Sequence, residues 1–329
     1  MEGISLERRK FRLPISMVGL ILFNVLLFIG LSILSPTFLT LRNMRSLMVR
    51  MSELAMLTFA QTLVLINGGM DLTVGSAMAL SGTIAGMLFK VGAHPVIAVL
   101  GALVTGIVIG TLNGFLVVHL KIDSFIATVA TNSILRSVVY LLLRGRVLSG
   151  FPKNYVLLGS VNLLGIPLLF VLVIVFAIIL HFFLRKTALG RSVYAVGANI
   201  NCAHISGIDT NFVKYFVFVA SGLLSAIGGV FYTIRIGAMI PDAGLNSPLE
   251  VVTAALIGGA SVKGGKGSIF GSLLGILAMY VLINGFNLLG FNPFWEVVLL
   301  GIVLITIVGQ SSMKKVVKMS RASRRGRAA

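Results

Sequence analysis

Nine acidic residues and four histidines are all that this 329-residue chain offers for proton transfer or metal binding. His94, His119, His181 and His204 fall in separate segments, with no spacing that would set two metal ligands on one face. Most of the acids lie at the edges of apolar runs or between them. The single cysteine, Cys202, excludes an intramolecular disulfide and a multi-cysteine metal site. No catalytic residue and no metal site is therefore expected.

The stretch from Gly258 to Ser268 resembles a phosphate-binding loop only superficially. Such a loop needs a glycine five residues before Gly-Lys and a hydroxyl directly after it, so that backbone N–H groups wrap phosphate and the hydroxyl meets magnesium. Around Gly265-Lys266 those places hold Ala260 and Gly267. The chain is expected to bind no ATP and no other cofactor of its own.

Four features remain as candidates. Asp71, in Asn67-Gly68-Gly69-Met70-Asp71-Leu72-Thr73-Val74-Gly75-Ser76, precedes an apolar helix and either caps its first turn or touches a polar solute or a partner helix. Gln61 and Asn67 are uncharged hydrogen-bonding groups nearby, which suit sugar hydroxyls better than ions. Arg136 is the one cation read as lying well inside an apolar run, where it costs roughly 2.5–3.5 kcal/mol on insertion scales. It either snorkels toward the Arg144 end or pairs with an acid or carbonyl, and Asn132, one turn earlier, shares its face. Between Arg185 and Lys214, Asn199 is placed to cap a short helix that Gly207 would end. That helix either docks a soluble partner or merely braces the surface.

The elements that must position these residues are membrane helices. Some 57% of the residues are hydrophobic and 11% charged, against roughly 25% charged in a soluble domain. Runs of about 20 apolar residues suffice to cross a bilayer. Ten spans are expected, near 14–34, 54–68, 72–89, 95–118, 125–143, 166–184, 212–234, 249–262, 268–289 and 294–310. The first exceeds the length of a signal-peptide core, so it reads as a retained span. The second and eighth look short, and each runs into a glycine-rich turn of the kind tolerated only where protein or a water-filled cavity covers it.

The net charge of +18 is concentrated before the first run and after the last, which marks cytoplasmic ends rather than a nucleic-acid surface. Both termini are expected in the cytoplasm, with residues 1–329 forming one transmembrane domain that includes a basic segment at 1–13 and a basic tail at 311–329. Most of the 27 Lys and Arg then fall inside. Arg42, Arg45 and Arg50 fall outside, and their spacing fits an amphipathic helix on the surface. Small residues recur at Gly101, Thr105, Gly106 and Gly110, and at Ser221, Gly222, Ser225, Gly228 and Gly229, which predicts close helix packing. Asn113-Gly114-Phe115 and Asn284-Gly285-Phe286 echo one another at the ends of two spans, as an inverted repeat would require.

Three segments carry a resemblance: Gly68-Gly69-Met70-Asp71-Leu72-Thr73-Val74-Gly75-Ser76; Gly190-Arg191 with Ala195-Val196-Gly197 and Ser206-Gly207-Ile208; and Gly258-Gly259-Ala260-Ser261 with Gly264-Gly265-Lys266-Gly267-Ser268. In this order they resemble the ribose-type branch of the ABC importer permeases. The resemblance implies a polytopic all-α bundle that works as a dimer with a second permease in the inner membrane. It also implies two cytoplasmic ABC ATPase subunits that use the ATP, and a periplasmic solute-binding protein that delivers a sugar. Gln61, Asn67, Asp71, Asn132, Arg136 and Asn284 become candidates for the translocation pathway. Gly190, Arg191, Asn199, Asn201 and Gly207 become candidates for the coupling region that feels ATPase closure. The rival reading is an ion-coupled secondary transporter of a small polar solute, which would need buried acids as a relay.

Overall fold

A computed structural model of the chain describes residues 15–292 together with 294, 295, 298, 301, 302, 305 and 306. Seven of its helices are long and apolar enough to cross a membrane: α1 (Ile15–Leu34), α2 (Leu41–Ile66), α4 (Pro95–Val118), α5 (Ser124–Leu143), α7 (Leu168–Lys186), α10 (Thr210–Ile236) and α12 (Ile269–Leu288). Two shorter apolar helices, α3 (Val74–Lys90) and α11 (Ser247–Ile257), pack among them. The expected tenth span, 294–310, and both basic ends lie largely or wholly outside the described residues. The remaining helices are short: α6 (Lys153–Leu157), α8 (Ala188–Ala198) and α9 (Ile200–Ile205).

One expectation needs correction. The stretch carrying Arg42, Arg45 and Arg50 is no separate surface helix but the first turns of α2, so the second span is 26 residues long rather than short. Charges in those turns lower the local hydropathy and hide the helix from a window-based reading, although burial begins at Leu47 and is almost continuous from Met51 onward. The eighth span is indeed short: α11 has 11 residues.

Burial separates centre from periphery. The apolar window of α2 is 89% buried and that of α10 78%, against 11% for α1 and 22% for α7. Two helices enclosed on all sides form the core of the bundle, and α1, α4, α5 and α7 turn apolar residues such as Leu26, Val104, Ile126 and Ile179 outward. The small-residue faces do what their spacing predicts. Gly106 and Gly110 of α4 lie against Gly222 of α10 so closely that a Cβ on Gly106 would sit 2.4 Å from the Gly222 carbonyl oxygen.

The helix starts are set by side chains. Asp123 Oδ1 accepts from the Phe125 N–H and Asp209 Oδ1 from the Phe212 N–H, each at 2.9 Å. At the far end of the bundle, β1 (Leu148–Ser149) pairs antiparallel with β4 (Ala238–Met239), tying the connection after α5 to the one after α10. Tyr155 of α6 is buried there, with its hydroxyl 2.7 Å from Thr233 Oγ1, and burial pushes its phenol up to about 12. The same region holds a hairpin in which β2 (Asn162–Leu163) pairs with β3 (Ile166–Pro167).

A buried ion pair joins the two central helices. Arg235 donates to Glu53 through Nε at 2.9 Å and through a terminal nitrogen at 2.7 Å, and its guanidinium lies 5.4 Å from the Tyr232 ring centre. The seventh expected span, 212–234, stops one residue short of Arg235. It occupies the last turn of α10, so Arg136 is not the only cation held within a membrane helix.

Candidate functional site

The three segments that carry the resemblance are far apart in the chain and meet at one end of the bundle. Ile66, the last residue of α2, accepts through its carbonyl oxygen from the Gly265 N–H at 2.8 Å. Gly197, near the end of α8, is wedged against the same carbonyl: a Cβ there would sit 1.8 Å from the Ile66 oxygen and 2.8 Å from the Gly265 nitrogen. Gly264 adopts φ +79, and a Cβ on it would lie 2.4 Å from the Gly197 oxygen and 2.8 Å from the Gly68 Cα. The Tyr194 hydroxyl donates to the Gly267 carbonyl at 2.9 Å, fastening α8 to the third segment. The glycines permit backbone-to-backbone contact among three connections that any side chain would hold apart.

Beyond this junction the chain turns outward. Gly190 packs its bare Cα against the end of α7, and Arg191 reaches back to the Lys186 carbonyl at 3.1 Å. Asn199 Oδ1 accepts from the N–H groups of Asn201 and Cys202 at 3.0 and 3.1 Å and so starts α9, and Gly207 at φ +80 follows its end. Ala203 is buried against the body, while Asn201 and Ile205 face outward, Ile205 with 86% of its surface exposed. The six-residue helix thus has one anchoring face and one exposed apolar tip.

A cavity of about 680 Å³ opens beside the junction, lined by Asn67, Lys121, Asp123, Asn199, Lys214 and Lys263 among others. Asn67 Nδ2 is buried there without a hydrogen-bond partner among the described residues. Gln61, one level deeper on α2, is fully buried, and neither its amide oxygen nor its nitrogen meets a partner among them.

Asp71 sits at the centre of a buried network. One of its oxygens accepts from the Thr73 N–H at 2.8 Å and the Thr73 hydroxyl at 2.6 Å, and the other accepts from the Ser221 hydroxyl at 2.7 Å. The Asn113 amide donates in turn to Thr73 Oγ1 at 2.9 Å. The turn before α3 is thereby bonded to both α4 and α10.

A family model described as branched-chain amino acid transport system/permease component matches residues 43–308. The ribose import permease protein of Bacillus subtilis (strain 168) is 36% identical over 311 residues, covering 93% of this chain and 97% of that protein. The ribose import permease protein of Escherichia coli (strain K12) is 35% identical over 282 residues, covering 84% and 88%. The L-arabinose transport system permease protein of the same strain is 32% identical over 290 residues, covering 88% of each. The chain belongs to this permease family. No solved structure matches it. With its seven long apolar helices, the permease is a multi-pass helical protein of the bacterial inner membrane.

The permease treats its remaining candidates differently. Arg136 on α5 does not snorkel: it donates to the carbonyls of Pro241 at 2.9 Å and Ala243 at 2.7 Å, while Tyr140 bonds Asp242, so α5 holds the loop between α10 and α11. Asn132 is half-buried, with its Oδ1 unpaired among the described residues. Asn284 exchanges amide hydrogen bonds of 2.9 Å with Asn43, joining α12 to α2. Its echo, Asn113, joins α4 to the turn before α3, so both asparagines serve the ends of neighbouring helices.

Sequence reasoning missed a polar stripe on α5. Ser133 and Ser137 are exposed one turn apart, beside Tyr140, and their hydroxyls only back-bond to the Val129 and Ser133 carbonyls. Hydroxyls on the outside of a membrane helix suit a facing helix or a polar passage rather than lipid. The signal in the sequence was the i, i+4 pair of serines within an apolar run.

Proposed function

We propose that this permease is one half of a dimeric passage through which an ABC importer brings a sugar, or a sugar-like solute, into the cytoplasm. The observation that carries the reading is the glycine junction with α9 projecting from it. Three chain segments are locked backbone to backbone beside a short exposed helix, so a force applied to α9 is passed through α8 to the end of α2 and to the connection between α11 and α12. This end faces the cytoplasm in the topology we favour, with ten spans, both termini inside and a single domain over 1–329. ATPase subunits dock on α9 and supply the energy, with Gly190, Arg191, Asn199, Asn201 and Gly207 as the coupling region. A periplasmic solute-binding protein loads the opposite end. The similarity to ribose and L-arabinose permeases points to a pentose or a similar polyol as the cargo.

The second permease subunit faces the hydroxyl stripe of α5, so that Ser133, Ser137 and Tyr140 border the passage between the two copies. Gln61, Asn67 and Asn132 bring unpaired amide groups suited to hydroxyls, and Asp71, Arg136 and Asn284 hold the frame around them. ATP binding draws the ATPases together, and the passage changes the side to which it opens, which requires that solute and partners bind the two states differently.

The coupling assignment is tested on the purified complex. Asn199→Ala removes the cap of α9, worth about 1 kcal/mol, so ATPase retained by the permease falls roughly fivefold while membrane insertion is unchanged. Unchanged retention together with unchanged uptake would remove α9 from the coupling region.

A further inference from the structure

The end of the bundle away from the glycine junction holds a smaller cavity of about 370 Å³, between α2, the β2–β3 hairpin and the last turn of α10. Three guanidinium groups border it, those of Arg45, Arg50 and Arg235. Glu53 bonds Arg235 twice and its charge also reaches Arg50, so among the described residues one carboxylate serves three arginines and the cavity keeps an excess of positive charge. Arg45 Nε is buried and meets no hydrogen-bond acceptor among the described residues. A guanidinium N–H withdrawn from water without an acceptor is costly, and the planar fork of arginine matches an oxyanion. Ser46, Ser160 and Asn162 add neutral polar groups around the same space.

The hairpin beside the cavity is apolar where a water-facing turn would be polar. Leu164 and Gly165, with φ of 51° and 87°, turn the chain between the two strands, and Leu164 is completely exposed. Leu163 and Ile166 on either side are also exposed. Apolar side chains at the end of a membrane bundle lower their free energy by dipping into acyl chains, and arginines just beside them then lie at the depth of lipid phosphates. An excess of guanidinium charge with an unpaired Arg45 Nε among the described residues, and an apolar fingertip, are separate observations, and together they describe an amphipathic ligand.

We propose that this cavity binds the phosphate headgroup of an anionic phospholipid, with the hairpin tip seated among its acyl chains. The lipid supplies the acceptor that Arg45 Nε lacks. It also accounts for the arginines of α2 standing at the end that the favoured topology puts outside, against the general charge bias. The inference needs only the membrane-spanning bundle and holds whichever way the bundle is oriented.

Native mass spectrometry of the full-length permease tests it, with the protein extracted in mild detergent from vesicles of equal phosphatidylglycerol and phosphatidylethanolamine. The expected result is preferential retention of phosphatidylglycerol, reduced about tenfold in the Arg45→Gln/Arg50→Gln variant. Leu164→Asn, which keeps a residue tolerant of the left-handed turn, should lower retention severalfold. This second variant alters only an exposed tip, so it answers the question even if the double variant folds poorly. Equal retention of both lipids, or undiminished retention in Leu164→Asn, would overturn the proposal. Complete displacement by inorganic phosphate would make this a free-anion site. Unchanged lipid retention with lost capture of the solute-binding protein would make it a protein dock. Either of these also overturns the proposal.

Discussion

Gly197→Ala is expected to reduce both ATPase retention and ATP-dependent uptake to less than about a tenth of the parent. The added methyl has nowhere to go: it would stand 1.8 Å from the Ile66 carbonyl oxygen, and the other close atom is the backbone nitrogen of Gly265. No rotamer change relieves a clash with backbone, so either α8 moves away from α2 or the Ile66–Gly265 hydrogen bond breaks. Overpacking of this kind costs typically 1–3 kcal/mol and here separates the segments through which α9 is linked to the bundle. The control is Gly30→Ala on α1, where no heavy atom lies within 4 Å of the new Cβ and helix propensity improves slightly. The pair is read by co-purification of the ATPase and by solute uptake. Equal behaviour of the two variants would show that the junction transmits nothing.

The second large effect concerns Asp71. Asp71→Ala strips the acceptor from three donors at once, the Thr73 N–H, the Thr73 hydroxyl and the Ser221 hydroxyl, all of them buried. Each buried donor left unsatisfied costs about 1–3 kcal/mol, and hydroxyls can partly recover by turning to a nearby carbonyl, so a destabilisation of roughly 3 kcal/mol is expected. The measurement is the unfolding midpoint of the purified permease in detergent. Asp71→Asn keeps the shape and one acceptor oxygen, enough for both Thr73 donors but not for the Ser221 hydroxyl, and should fall between parent and alanine. A frame residue shifts the midpoint in this order. A residue that only touched solute would leave the midpoint unchanged and raise the solute concentration needed for half-maximal uptake.

Much of the permease's frame was legible because membrane helices announce themselves by length and apolarity. Seven of the ten expected spans coincide with helices long and apolar enough to cross a membrane, two coincide with shorter apolar helices and the tenth lies largely outside the described residues, and the cap of α9 could be read from Asn199 and Gly207 alone. What stayed hidden were facts of tertiary contact. Nothing local to Gly68, Gly197 or Gly264 shows that the three will touch, since each glycine has an ordinary role in a turn or a helix end. The pairing of Glu53 with Arg235 joins residues 182 positions apart, and each looked like an edge charge on its own. Arg136 was legible as a problem needing relief, but its partners are backbone carbonyls, which leave no mark in residue types. The length of α2 was obscured because its first three turns carry arginines and are mostly exposed or half-buried, while its later turns serve the core.

Asn284 and Asp71 illustrate a further limit. Polar side chains within an apolar chain draw the eye as pathway candidates, yet the first is engaged with Asn43 and the second with Thr73 and Ser221. The unpaired amides of Gln61 and Asn67 and the exposed serines of α5 are distinguished only by their surroundings. Residue type identifies what can hydrogen-bond, and the packing decides which groups have capacity to spare.

The account rests on a bundle that takes its driving force from bound ATPases rather than from an ion gradient. Vesicles reconstituted with the permease alone, or with the permease, a co-purified ATPase and a solute-binding protein, are supplied with labelled ribose or L-arabinose. The account predicts that at least one sugar enters only the complete vesicles and only with ATP on the ATPase side. Entry into vesicles holding the permease alone, driven by a proton or sodium gradient and indifferent to ATP, would contradict it.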